Sequence, residues 1–121
     1  MLKDTFFSIT ETADRENGCT CRLALNANHP IFQAHFAGNP IMPGACIVQL
    51  IKELASVFYN RDMFVCSVKN MKFLHVINPL ETPEIAANLS FTIQDNGQIA
   101  VSTVLYLDDK IFSKSTMGLR V

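Results

Sequence analysis

The sequence predicts an α+β fold, with an antiparallel sheet of five or six strands wrapped around one long central helix. The strands are indicated by short segments in which apolar and polar residues alternate, separated by tight-turn residues. The helix is indicated by a segment that is too uniformly apolar to lie on a protein surface. Because 121 residues suffice for one core and 49% of them are apolar, we expect a single domain over residues 1–121.

The first two strands are predicted to form a hairpin near the start of the chain. Residues 5–13 are expected to be the first strand, and Asn17-Gly18 is a strong turn signal before the second. The second strand alternates, and the residues expected on its buried face are Cys19, Cys21, Leu23 and Leu25. Asn28-His29-Pro30 is expected to end this strand, and an irregular run should follow.

The C-terminal half of the chain is predicted to be β-structure throughout. Residues 63–76 should contain one or two strands, and residues 88–94, 98–107 and 110–121 should contain one strand each. Asp95-Asn96-Gly97 predicts a second tight hairpin, and Asp108-Asp109 predicts another turn. In the 88–94 strand the side chains expected to point inward are Leu89, Phe91 and Ile93.

The helix is expected to span about residues 43–60. Pro43 suits its first turn, because a missing N–H costs nothing there and the fixed φ angle is already helical. The polar side chains before Tyr59 form one narrow stripe at helical spacing, namely Gln49, Lys52, Glu53 and Ser56. The rest of the helix surface is apolar and must be covered, which is why we place the sheet around it.

Charge and cysteine content argue against several classes of protein. The net charge is -1 and the 10 Lys and Arg residues are scattered, so nothing favours a nucleic acid as partner. We see no charged-then-apolar leader and no apolar run long enough to cross a bilayer, so we expect a cytoplasmic protein without a membrane partner. The four cysteines lack the spacing of metal or redox pairs, so we expect buried reduced thiols and no metal.

The run HPIFQAHFAGNPIMPG, residues 29–44, carries the candidate chemistry. A histidine such as His35 ionises near neutral pH and can accept a proton. The first N–H groups of the helix, which begins next to Gly44, have no intrahelical partner and carry the positive end of the helix dipole. A proton acceptor beside such donors is what an enzyme needs to remove a proton α to a carbonyl group.

This run also resembles a known family. His35-Phe36-Ala37-Gly38-Asn39-Pro40-Ile41-Met42-Pro43-Gly44 is similar to the H-F-x-G-x-P-x-x-P-G signature of the 3-hydroxyacyl-[acyl-carrier-protein] dehydratases. The similarity includes residues 30–33, 68–79 and 107–116, and so covers most of the chain. Two branches are relevant, the β-hydroxyacyl dehydratases and the dehydratase/isomerases. Both have the hotdog fold, which the resemblance therefore implies here.

The resemblance also implies a role for individual residues. His35 would take the α-proton of a thioester, while its other ring nitrogen is held by the main-chain carbonyl of Ile41. The main-chain N–H of Gly44 would polarise the thioester carbonyl, and Ala45 and Phe36 would contribute to substrate binding. No separate cofactor is implied, because the phosphopantetheine group arrives as part of the acyl carrier substrate.

The chain departs from the family at position 49. The family has a carboxylate there, whereas this sequence has Gln49, an amide that can orient a hydroxyl group but cannot deliver a proton as an acid. Glu53, one helical turn later, is a possible replacement, about 6 Å further along the helix axis. The alternative is that Gln49, Lys52, Glu53 and Ser56 are simply a solvated face of the helix.

Three hypotheses about function follow. The first is an enzyme that eliminates water from a 3-hydroxyacyl group on acyl carrier protein, giving a trans-2-enoyl thioester, with His35 as base and with Gln49 and Glu53 on the hydroxyl-binding or acid side. The family implies a homodimer, or a higher oligomer, with the sites at its interface. The second is a non-catalytic acyl-thioester-binding subunit that needs a related active dehydratase subunit in a heterodimer. The third is a hotdog acyl thioesterase, against which the intact loop argues. Acyl chain length and pathway stay open.

Overall fold

The computed structural model describes residues 2–34 and 40–121. Within these ranges the chain forms six strands and two helices, in the order β1 (Phe7–Arg15), β2 (Gly18–Leu25), α1 (Pro30–Ala34), α2 (Gly44–Tyr59), β3 (Phe64–Phe73), β4 (Glu84–Ile93), β5 (Ile99–Leu107) and β6 (Lys110–Arg120).

The six strands form one sheet in the order β1-β2-β4-β5-β6-β3, and all neighbouring strands are antiparallel. The core contains buried side chains from the sheet and from α2, including Leu50, Ile51 and Leu54 of the helix and Leu23 and Leu89 of the strands. The prediction of an antiparallel sheet packed around a long helix is therefore confirmed. Residues 63–76 contain a single strand, β3, and it lies at one edge of the sheet.

The alternation predicted for β2 is confirmed, because Cys19, Cys21, Leu23 and Leu25 are all buried. In β4 the prediction holds for Leu89 and Phe91 but is wrong for Ile93, whose side chain is 72% exposed. Ile93 pairs with Ile99 beside the second hairpin, and of these two side chains only that of Ile99 is buried in the core.

Both predicted hairpins form, but their glycines act differently. Gly97 has φ +82° and closes the 95–97 loop, a left-handed conformation that costs glycine little. Gly18 is instead the first residue of β2 and pairs with Arg15, so the first turn consists of Glu16 and Asn17. A Cβ atom at Gly18 would overlap the carbonyl oxygen of Leu89, so this glycine is required for close approach of β4.

The helix α2 agrees with its prediction to within a residue at each end. Pro43 occupies the N-cap with φ −65° and ψ 150°, one residue before the first turn in which the sequence placed it. At the other end Asn60 adopts the left-handed conformation, with φ 54°, and its N–H donates to the carbonyl oxygens of the last turn.

The sequence predicts an irregular run after β2, whereas the structure forms the short helix α1 there. His29 caps this helix, because its Nδ1 accepts a hydrogen bond of 3.1 Å from the Ile31 N–H. Pro30 then occupies the first helical position, where its lack of an N–H is harmless. The helix leads directly into the segment that begins with His35.

Three of the four cysteines are buried free thiols as predicted, but Cys66 on β3 is exposed, which corrects the expectation for that residue. In the described part of the chain no helix is both long and apolar enough to span a membrane.

Candidate active site

The start of α2 presents main-chain donors. The N–H groups of Cys46 and Ile47 donate to the Pro43 carbonyl oxygen at 3.0 and 3.2 Å. No side chain caps the helix, and among the described residues no acceptor is found for the N–H groups of Gly44 and Ala45. These two donors, at the positive end of the helix dipole, are available to an oxygen that carries or gains negative charge.

The main chain around these donors is held in place. Met42 donates its N–H to the Ile77 carbonyl oxygen at 2.8 Å, which fixes the approach to the helix. A Cβ atom at Gly44 would lie 3.0 Å from the ring of Phe73 on β3. Glycine at this position therefore lets an aromatic ring pack directly on the first turn.

Two of the predicted site residues, His35 and Phe36, lie outside the described residues, so their predicted roles stay predictions. Ile41 is described and half-buried, but its expected contact with the ring of His35 is untested for the same reason. The structure does describe the residues on either side of positions 35–39, namely Ala34 at the end of α1 and Pro40, four residues before the start of α2.

The other two predicted residues, Gln49 and Glu53, are brought together on α2. The Gln49 Nε2 donates to Glu53 Oε2 at 2.8 Å. Gln49 is half-buried, and Glu53 is only 2% exposed. The alternative of a solvated polar stripe is therefore wrong for Glu53, which faces the protein interior.

The carboxylate of Glu53 has further partners that the sequence did not indicate. The Leu2 N–H donates to both of its oxygens, at 3.0 and 2.8 Å, and the Lys3 N–H donates to Oε1 at 2.7 Å. With the Gln49 amide, three donors therefore converge on one carboxylate. An ionised carboxylate has about four acceptor positions, so this arrangement suits the charged form.

The hydrogen bonds also determine the ionisation of Glu53. Burial alone would raise the pKa of this carboxyl group, because it penalises the charged form. The hydrogen bonds from the Leu2 N–H, the Gln49 amide and the Lys3 N–H outweigh burial and lower the pKa below its ordinary value. Glu53 is thus an anion at neutral pH.

The segment that supplies these donors, residues 2–6, is itself anchored. Phe6 is fully buried and stacks on Phe32 of α1, with ring centroids 4.7 Å apart, and it makes an edge-to-face contact with the ring of His29. The Asn26 N–H donates to the Phe6 carbonyl oxygen at 2.9 Å. We call residues 2–6 the amino-terminal segment. It connects α2, at Glu53, to α1, the helix that precedes His35 in the chain.

No role was predicted for the amino-terminal segment. A signal was available in the adjacent pair Phe6-Phe7, because two consecutive large apolar residues do not fit a strand with one buried face. Both rings are buried, and only Phe7 belongs to β1.

A depression of about 320 Å³ lies beside the C-terminal half of α2. Its lining includes Lys3, Lys52, Glu53, Ser56, Asn60 and Arg61. Three of these residues are basic, and Asp62 also lines the depression, so charges of both signs surround the anionic Glu53. Ser56 serves the fold here, because its Oγ accepts a hydrogen bond of 3.1 Å from the Met63 N–H.

The lowered pKa of Glu53 predicts a pH-dependent contribution to stability. Since the folded-state pKa lies below the unfolded one, the contribution is complete at neutral pH and is lost as the pH falls below about 4.3 towards the folded-state value. We expect Glu53→Gln to lower the free energy of unfolding at pH 7 and to differ less from wild type at pH 3. Urea unfolding between pH 3 and pH 7 measures this difference in the free energy of unfolding. Glu84→Gln, on the exposed start of β4, is the control. A constant difference between Glu53→Gln and wild type at all pH values would contradict this.

Comparison with known proteins identifies the class to which this site belongs. The model of the ApeI-like family, described as ApeI dehydratase, matches residues 10–104. The chain therefore belongs to this family of dehydratases, and the family predicted from the loop is confirmed.

Curated relatives are named as dehydratases of the same kind. The chain is 35% identical over 75 residues to the 3-hydroxyacyl-[acyl-carrier-protein] dehydratase FabZ of Latilactobacillus sakei, covering 56% of this chain and 54% of the relative. It is 27% identical over 97 residues to the FabZ of Rickettsia bellii, covering 65% of this chain and 67% of the relative. The matches thus span between about half and two thirds of these relatives' length.

Solved structures confirm the hotdog fold. The dehydratase heterocomplex ApeI:P from Xenorhabdus doucetiae superposes with a TM-score of 0.68 at 16% identity, covering 93% of this chain and 96% of that one. A mutant thioesterase from Pseudomonas aeruginosa superposes with a TM-score of 0.66 at 13% identity, covering 95% and 80%. Since dehydratases and thioesterases share this architecture, the fold alone does not select the reaction.

Proposed function

We propose that this protein eliminates water from a 3-hydroxyacyl thioester carried by acyl carrier protein and releases the trans-2-enoyl thioester. The observation that carries the proposal is the pair of main-chain donors at Gly44 and Ala45, at the end of the dehydratase signature, for which the described residues provide no acceptor. Membership of the dehydratase family and the FabZ relatives support it.

The reaction changes two neighbouring carbons of the substrate: the α-carbon loses a proton and the 3-carbon loses its hydroxyl group. His35 takes the α-proton, and the resulting negative charge moves to the thioester oxygen. The N–H groups of Gly44 and Ala45 stabilise that oxygen, because they are fixed donors that need no reorganisation when the charge develops. Ile41 and Phe36 hold the base and the substrate in the loop. No separate cofactor takes part, since the substrate brings its own phosphopantetheine arm.

The 3-hydroxyl group must leave as water, and so needs a proton. Gln49 can bind and orient this hydroxyl group, but it has no proton to deliver. The oxygens of Glu53 already accept three donors and the pKa of its carboxyl group is lowered, which favours the hydroxyl-binding side over the acid side for this pair. The proton balance then closes through His35, which receives the α-proton as imidazolium and can return it to the departing hydroxyl.

We propose that the working form is an assembly of at least two subunits in the cytoplasm, either two copies or one copy with a related dehydratase subunit. The strand β3 lies at the edge of the sheet with unpaired main-chain groups. Apolar side chains on β3 and just after it are exposed, namely Phe64, Val65, Val68, Phe73, Leu74 and Val76. Such an edge favours pairing with another chain.

The test is to follow the fate of two substrates with the purified protein alone. We expect 3-hydroxyacyl thioesters on acyl carrier protein to give the enoyl product, seen by absorbance or mass spectrometry, and a saturated acyl thioester to stay intact. Release of free thiol from the saturated thioester would overturn the proposal in favour of a thioesterase. Silence of the protein alone, with activity only after addition of a related subunit that carries the carboxylate, would favour the non-catalytic subunit.

A further inference from the structure

The amide of Gln49 is bonded to a carboxylate that is itself held by another part of the chain. Glu53 Oε2 accepts from Gln49 Nε2 at 2.8 Å, while the main-chain N–H groups of Leu2 and Lys3 also donate to the carboxylate. Because Glu53 is buried, its side chain cannot turn to solvent. The Gln49 amide is therefore given one orientation, with Nε2 towards Glu53.

This orientation determines what Gln49 offers to a ligand. An amide carries two N–H hydrogens and one carbonyl oxygen, and Glu53 uses one of the hydrogens. Among the described residues no partner is found for the Gln49 oxygen or for its second hydrogen. These two groups can accept from and donate to a single hydroxyl group.

The same amino-terminal segment reaches the other half of the site. Phe6 packs on Phe32 and His29 of the α1 region, and residues 2 and 3 bind Glu53 on α2. Its backbone turns sharply between these contacts, since Asp4 has φ 67° and its N–H donates to the Phe7 carbonyl oxygen at 2.6 Å. The segment thus links the helix that carries Gln49 to the element that precedes the base.

We infer that Glu53 is a positioning residue, held by the main-chain N–H groups of Leu2 and Lys3, that fixes the Gln49 amide to receive a hydroxyl group. That the hydroxyl belongs to the 3-position of the substrate rests on the proposed function. Glu53 itself does not touch the substrate, and the amino-terminal segment is part of the support of the site.

The charge of Glu53 is essential to this role. A neutral side chain at position 53 would have to present an N–H or an O–H to some of the donors that now converge on it. The other charged groups that line the same depression are Lys3, Lys52, Arg61 and Asp62. The depression therefore carries three cations and one anion besides Glu53, and the lowered pKa of Glu53 follows chiefly from its hydrogen bonds.

The first test does not depend on activity. The amide signals of Leu2 and Lys3 and the side-chain NH₂ signals of Gln49 are followed by NMR as the pH is lowered. We expect all of them to shift with one common midpoint, below the ordinary value for glutamate, and to lose this transition in Glu53→Gln. Unrelated midpoints, or Gln49 signals that do not follow those of Lys3, would overturn the inference.

The second test uses a double-mutant cycle on the turnover of a 3-hydroxyacyl thioester. Glu53→Gln is expected to lower kcat about 10-fold or more with KM changed less than about 3-fold, since it disturbs the orientation of the amide. In the Gln49→Ala background the same change should have an effect of less than about 2-fold, because the group that Glu53 positions is gone. Effects that multiply, or a loss of about 10²–10⁴-fold by Glu53→Gln in both backgrounds, would identify Glu53 as an independent acid.

The main-chain donors are tested by a matched pair of variants. Lys3→Pro removes the N–H that donates to Glu53, whereas Lys3→Ala keeps it and removes only the charged side chain. We expect Lys3→Pro to reproduce the kcat loss of Glu53→Gln and Lys3→Ala to be the milder variant. Glu53→Asp, which keeps the charge, should retain more activity than Glu53→Gln. Equal effects of Lys3→Pro and Lys3→Ala would count against the inference.

Failure of the inference can be told apart from failure of the proposed function. If the wild-type protein turns over no 3-hydroxyacyl thioester, the proposed function fails, and the NMR titration still decides whether Glu53 orients Gln49. If the wild-type protein is active and the titration shows no coupling, only the positioning role is overturned.

Discussion

Replacing His35 with glutamine is expected to lower kcat/KM for a 3-hydroxyacyl thioester by about 10²–10⁴-fold, the usual contribution of a general base. Glutamine keeps the polarity and much of the size of histidine but cannot accept the α-proton. The effect should appear in kcat, since the proton is transferred in the transition state and binding of the acyl chain does not depend on the imidazole. Steady-state kinetics with the acyl carrier substrate measures it.

His75→Gln is the matched control for this prediction. The same substitution is made here at an exposed residue that follows β3. The main-chain N–H of His75 donates to the Phe112 carbonyl oxygen, and this hydrogen bond does not depend on the side chain. We expect His75→Gln to retain wild-type activity. If both variants lose activity equally, or if His35→Gln retains it, the assignment of His35 as the base is wrong.

Replacing Phe6 with alanine is expected to lower the free energy of unfolding by about 3–5 kcal/mol, the usual cost of deleting a fully buried aromatic ring. Phe6 is 0% exposed and stacks on Phe32, so its removal leaves a cavity between the amino-terminal segment and α1. Urea unfolding monitored by circular dichroism measures the change. Ile93→Ala, at a side chain that is 72% exposed, is the control and should change stability by no more than about 0.5 kcal/mol.

The Phe6 variant has a second expected effect. If the amino-terminal segment holds Glu53 through Leu2 and Lys3, loosening its anchor should weaken the hydrogen bonds to the carboxylate. The acid-dependent part of the stability should then shrink in Phe6→Ala as it does in Glu53→Gln. A destabilised Phe6→Ala protein that keeps the full wild-type pH dependence would show that the anchor and the carboxylate act independently.

The elements of this protein could be predicted where the pattern is local. The buried face of β2 follows from its alternation, and α2 follows from an apolar segment with Pro43 before it and Asn60 after it. The loop signature was sufficient to predict the dehydratase family, because the order of residue types in a short stretch carries that information. Each of these predictions used residues that are close together in the chain.

The tertiary structure decided what those residues meet. Gly18 is needed because β4 passes close to it, and Ile93 is exposed while its paired residue Ile99 is buried, although both positions fit their patterns. The short helix α1 forms on the cap supplied by His29, in a run that contains too many prolines to suggest a helix. None of these outcomes is visible from periodicity.

The candidate site divides in the same way. The spacing of Gln49 and Glu53 placed them on one face of a helix, so their contact could be expected from the sequence. Whether that face met water or protein could not be expected from the sequence, because the main-chain partners of Glu53 come from residues 2 and 3, about 50 positions earlier in the chain. The charge state of Glu53 depends on these distant main-chain donors, and so the sequence determined which groups are present while the fold determined how they are oriented and ionised.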